Sequence, residues 1–153
     1  MPMPWTYRHA DREWRTFLDT VRDVSGMTSD NAAYTMTEGL FRAFRARLTP
    51  QQALDFAAVL PAIPRALFVQ DWTLAEPQPW ADRAAILAEV KALRRHHNFA
   101  PDSAIEAVSC AVHRVVRPDL LRCALQRIGP EALAFWALQS HSPEALAPSP
   151  GEV

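Results

Sequence analysis

An all-α fold, a helical bundle built from two tandem three-helix repeats, is predicted by three observations. Apolar residues recur every three or four positions through most of the chain, and no segment alternates strictly as a strand does. Most of the thirteen prolines stand at the edges of these periodic stretches. The pattern also returns: Leu40, Ala43, Phe44, Leu48, Pro50, Phe56, Ala57, Leu60, Pro64, Leu67 and Phe68 recur 68 positions later as Val108, Ala111, Val112, Val116, Pro118, Ala124, Leu125, Ile128, Ala132, Phe135 and Trp136. A three-helix unit does not cover its own apolar face, so two copies imply one shared core.

The elements follow in order. Residues 1–10 form an N-terminal extension, and Asp11 to about Val24 an amphipathic helix with Trp14, Phe17, Leu18 and Val21 on one face. Gly26 is its stop signal. Thr28 or Ser29 caps the second helix, which runs to about Arg47 with Ala33, Met36, Leu40, Phe44 and Leu48 inward. Gly39 within it points to a close helix–helix approach. Thr49-Pro50-Gln51-Gln52 predicts a capping box with proline at the first helical position. The helix after it is expected to bury Leu54, Ala57, Ala58 and Leu60, then to break at Pro61 and Pro64 and restart through Phe68.

Residues 70–80 read as a linker between repeat 1 (about 11–70) and repeat 2 (about 81–141). In repeat 2, Ile86, Leu87, Val90 and Leu93 form the first stripe, Pro101 and Pro118 start the next helices, and Gly129-Pro130 repeats the break. Residues 142–153, with three prolines and Gly151, read as a flexible tail.

The composition, 49% hydrophobic and 22% charged over 153 residues, is that of one ordinary globular domain. A net charge of −1 gives no electrostatic case for nucleic acid or an anionic membrane. No stretch approaches the ~20 apolar residues of a membrane span, and the first residues lack the apolar core of a signal peptide. A cytoplasmic protein is expected, with Cys110 and Cys123 held as thiols. One lysine among sixteen basic residues, with many alanines, points to a GC-rich, bacterial coding genome.

Candidate sites are sparse. Cys110 and His113, three apart on one helix, offer two metal donors, with Cys123 and His96-His97 available to complete a set. A zinc signature needs a second close pair, so no metal or cofactor is assigned and buried packing is the simpler reading. Lys91, Arg94, Arg95, His96 and His97 form a basic helix end, which is an anion patch or cations favourably placed against the helix dipole. Phe68, Trp72 and Trp80 gather aromatics around the linker, either as a ligand or partner groove or as a seal over the seam between repeats. Trp5 and Tyr7 precede the first helix, where the repeat provides nothing to bury them. Arg42, Arg45 and Arg47 are expected on a solvated face, with Asp55 pairing among their neighbours. Glu13, Asp19, Asp23 and Glu38 are expected on polar faces. There is no Gly-rich phosphate loop, G-x-S-x-G or H-E-x-x-H motif, so no catalytic residue is assigned.

The run from Phe44-Arg45-Ala46-Arg47-Leu48-Thr49-Pro50 to Leu60-Pro61, followed by Leu67-Phe68-Val69-Gln70-Asp71-Trp72, resembles the bacterial family of uncharacterised proteins called DUF2267. The resemblance spans roughly residues 12–138. It departs at Ile128-Gly129, in place of Leu-Pro, and at Asp71, where the family often has Gly. It implies two three-helix units and brings no activity or catalytic residues. The expected function is therefore non-catalytic protein–protein interaction or self-association. The alternative is a small ligand or metal held in a pocket between the repeats.

Overall fold

A computed structural model describes residues 1–93 and 101–149. Its helices are α1 (Trp5–Arg8), α2 (Ala10–Ser25), α3 (Asp30–Arg45), α4 (Pro50–Val59), α5 (Ala62–Val69), α6 (Arg83–Leu93), α7 (Ala104–Val115), α8 (Pro118–Ile128), α9 (Pro130–Trp136) and α10 (Pro143–Leu146). Among the described residues there is no strand.

Local chemistry sets the helix ends. Gly26 takes the left-handed conformation at φ 77° and closes α2, its N–H donating to the Arg22 carbonyl at 2.8 Å. The Ser29 hydroxyl accepts the Ala32 N–H at 3.1 Å and starts α3. At α4 the capping box is complete: the Thr49 hydroxyl accepts the Gln52 N–H at 3.2 Å, and the Gln52 side-chain oxygen accepts the Thr49 N–H at 2.9 Å. Leu60 and Pro61 are extended and separate α4 from α5. Gly129, at φ 141° and ψ 178°, separates α8 from α9 in a conformation that side-chain-bearing residues avoid. α4 and α8 begin 68 residues apart, and so do α5 and α9.

Packing interleaves the two halves. α2 packs most extensively on α7, α3 makes its largest contact with α6, and α4 packs on α8. The first helix of each half thus lies on the second helix of the other. Phe44 sits at the centre of one shared core. Its ring meets Phe56 edge-on at 4.9 Å, stacks on Phe135 at 5.2 Å and meets Trp136 edge-on at 5.3 Å. Burying such rings is the main stabilising term, with aromatic geometry adding ~0.5–1.5 kcal/mol per pair.

Several expectations are corrected. On α4 the inward residues are Ala53, Phe56 and Ala57, while Leu54 is 55% exposed and Ala58 lies outside as well. The stripe is shifted by one position because α4 presents the Phe56 side to the core. Arg45 and Arg47 are buried, not solvated. Arg45 donates to the carbonyls of Phe68 and Gln70 at 3.0 and 2.9 Å, capping the end of α5. Arg47 donates to the Ala43 carbonyl at 2.6 Å and pairs with Glu89 of α6 at 2.7 Å. Asp55 accepts instead from Gln51 of its own helix, at 2.9 Å. α7 begins at Ala104, Pro101 serving only to accept a turn hydrogen bond from it. The C-terminal tail is not free throughout: α10 packs on α7 and buries Leu146.

Candidate functional site

The N-terminal extension is fastened to the first helix break. The Thr6 hydroxyl accepts the Ala62 N–H at 2.8 Å, satisfying one of the orphan donors at the start of α5. Arg65 then takes the carbonyls that the break strands: Ala57 at 3.0 Å, Ala58 at 3.3 Å and Leu60 at 2.9 Å. The same guanidinium donates to the Tyr7 hydroxyl at 3.2 Å. Trp5 packs on His9, with ring centroids 4.3 Å apart.

Between this assembly and the α7–α8 turn lies a cavity of about 370 Å³, walled by Pro4, Val59, Pro61, Val116 and Leu120 among others. A smaller recess of about 100 Å³ adjoins it, and both are bounded by Trp5, Glu13 and Val115. The cavity therefore draws its walls from the N-terminal segment and from both halves. Apolar walls with a few convergent polar groups are the usual character of a small-molecule site.

Glu13 is the residue that distinguishes it. Contrary to the polar face expected from sequence, Glu13 is only 5% exposed, and neither carboxylate oxygen has a hydrogen-bond partner. Burial raises its pKa above the ordinary carboxylate value. The nearby Thr6 hydroxyl, His9 and Arg65 oppose that shift without cancelling it. A buried carboxylate short of hydrogen bonds is costly in its charged form, and a partner that donates to it would recover part of that cost. The sequence did carry a trace of this: Glu13 lies on the line of Phe17 and Thr20, both buried, at i+4 and i+7.

The residues singled out from sequence are placed as follows. Phe68 is completely buried, edge-on to Phe41 and Phe56, and has no surface to offer a ligand. Trp80 is half-buried against Phe44 at 5.9 Å, and the guanidinium of Arg45 lies 5.5 Å from the half-buried ring of Trp72. The three rings do not form one open groove. Lys91 pairs with Asp102 at 2.6 Å, while Arg94, Arg95, His96 and His97 lie outside the described residues. His113 Nδ1 bonds to the Ser109 carbonyl at 2.8 Å. Cys110 is buried and Cys123 exposed. The donors gathered around Cys110 are Glu106 and His141, not His113.

The family model for an uncharacterized conserved protein, DUF2267, matches residues 14–132, the greater part of the chain. This chain belongs to the DUF2267 family. The matched span covers α3 to α8 completely, together with most of α2 and the start of α9, and it includes both helix breaks. Trp5 and Thr6, which close the Glu13 cavity from the N-terminal side, precede the span that defines DUF2267, whereas Glu13 itself lies immediately before its first residue. In the turn after α5, Asp71 is the single described non-glycine residue at positive φ, 52°. Among curated proteins there is no significant match. No helix among the described residues is long and apolar enough to cross a membrane.

Proposed function

We propose that this protein binds a small, largely apolar molecule in the cavity between its halves, and that Glu13 accepts hydrogen bonds from the ligand's amine or amide head. The observation that carries the reading is the buried Glu13 carboxylate without a partner on a cavity wall. A donor head would satisfy both oxygens, and the apolar walls would cover the rest of the molecule. One carboxylate is half of an acid–base pair, so the reading is binding and not catalysis. The repeated helix starts support an origin by duplication, with the cavity arising where the halves meet. A cytoplasmic setting belongs to the same proposal.

Thermal denaturation with hexylamine, hexanamide and hexanoate tests it. The amine and the amide should raise Tm, the carboxylate should not, and Glu13→Leu should abolish the difference. Equal shifts from hexanoate, or none from any probe, would sink the reading.

Self-association is the second reading, and it draws on Leu54, Leu74 and Leu120, large apolar side chains left at the surface. Light scattering should then show a concentration-dependent mass that Leu54→Glu reduces. A mass of one chain at every concentration would dispose of it.

A further inference from the structure

A second cluster of titratable groups lies apart from the Glu13 cavity. Glu106 and Cys110 are one turn apart on α7, and the C-terminal segment returns across them. The Glu106 carboxylate accepts the backbone N–H groups of Gln139 and Ser140, both at 3.0 Å at their closest, and the ring Nδ1 of His141 lies 3.0 Å from the same carboxylate. One carboxylate oxygen, the Cys110 sulfur and one imidazole nitrogen all lie within 4.8 Å of one another.

Each member has an ordinary explanation taken singly. Glu106 ties down a loop and Cys110 fills space on a buried face. Taken together they present an oxygen, a sulfur and a nitrogen donor, from two separate stretches of chain, converging on one point. Three protein donors with a fourth position left to water is a common arrangement for divalent zinc. Arg83 donates through Nη1 to the carbonyls of Phe135 and Ala137, while its Nη2 pairs with the carboxylate at 3.7 Å, so a zinc ion would share Glu106 with this guanidinium.

We propose that Glu106, Cys110 and His141 form a zinc site that locks the C-terminal segment onto α7. On binding, the thiol proton of Cys110 leaves to solvent and the sulfur–zinc bond takes its place. His141 turns a ring nitrogen from the carboxylate to the metal. No electron is transferred. Burial, with Glu106 beside it, holds the Cys110 thiol up at about 11, and a divalent cation is the kind of partner that reverses this. The donor set thus differs from the Cys110–His113 pair suggested by helical spacing: the atoms that converge with the Cys110 sulfur belong to Glu106 and His141.

The full chain, stripped with a chelator and titrated with zinc alone, should bind one ion per chain in native mass spectrometry. Cobalt(II) in place of zinc should give a thiolate-to-cobalt charge-transfer band. Cys110→Ser should remove that band while Cys123→Ser leaves it. His141→Ala, an exposed position that leaves the core intact, should weaken binding at least about tenfold. The proposal is overturned if no zinc is retained, if the cobalt band survives in Cys110→Ser or is lost in Cys123→Ser, or if His141→Ala binds like the wild type.

Discussion

The α4–α5 break and the α8–α9 break lie 68 residues apart and meet the same backbone problem with different residues. At the first, Pro61 stops the helix and Arg65 collects the stranded carbonyls of Ala57, Ala58 and Leu60. At the second, Gly129 makes the turn through its own backbone freedom, and the position matching Arg65 is Leu133. The ends of the following helices differ as well. Arg45 of α3 takes the carbonyls of Phe68 and Gln70, whereas Arg83 of α6 takes those of Phe135 and Ala137. Helix ends must be satisfied, but which side chain does so depends on the neighbour within reach. Only the proline break lines the Glu13 cavity; the apolar recess beneath α9 is bounded by Leu133 and Trp136 and holds no Gly129. The candidate site therefore lies at the break whose residues differ from those of its counterpart 68 positions on.

The largest difference between the halves is expected in the core. Phe44→Ala should cost ~3–5 kcal/mol in urea denaturation, because the ring touches aromatics of both halves. Its counterpart Val112→Ala should cost about 2 kcal/mol. Equal losses would mean that the halves share the core evenly.

The arginine caps come next. Arg45→Met should lose ~2–3 kcal/mol, since it strips charge-assisted bonds from buried carbonyls. Arg83→Met should lose about 1–2 kcal/mol, because that side chain is 23% exposed and water can replace part of its role. Thermal denaturation of both variants gives the order, and a reversed order would contradict the burial argument.

At the breaks themselves, Gly129→Ala should cost about 1–2 kcal/mol. The alanine must hold φ near 141° and its Cβ meets a Glu131 carboxylate oxygen at 3.2 Å. Pro61→Ala should cost under ~1 kcal/mol, as the extended conformation there suits any residue. Comparable losses would show that the two breaks are built alike after all.

One expected effect is a small gain. Glu13 in the folded chain has a raised pKa, so the folded state keeps its proton where the unfolded state has already lost it. Its contribution to stability is fully present below the ordinary value of 4.5 and is lost as pH rises through the folded pKa. Glu13→Gln should therefore be more stable than the wild type by ~1 kcal/mol near neutral pH, with the gap closing near about pH 4. Denaturation at the two pH values checks it, and a gap independent of pH would remove Glu13 titration as the cause.

Much of the fold was legible because its signals are local. Ser29, Thr49 with Gln52, Gly26 and the Leu60-Pro61 break act within a few residues of themselves, so the sequence order contains the partners. The candidate site was far less legible. Glu13 looks like an ordinary polar residue on α2, and the Arg45 partners lie 23 and 25 positions away. Phe68 looked available because it sits beside the linker, yet the core takes it. His141 stood at the very end of the span read as repeat 2, with no partner suggested for it, and its approach to Glu106 spans 35 positions.

By itself, the sequence determined the helical class, the caps, the breaks and the 68-residue spacing, all of which depend on neighbours along the chain or on periodicity. Only the tertiary structure decided that α2 lies on α7 and α3 on α6, since an apolar stripe specifies that it must be covered but not by which helix. That choice wraps α2 on more than one side. It buries Glu13 beyond the edge of the apolar stripe, and the return of the C-terminal segment over α7 brings His141 to Glu106 and Cys110.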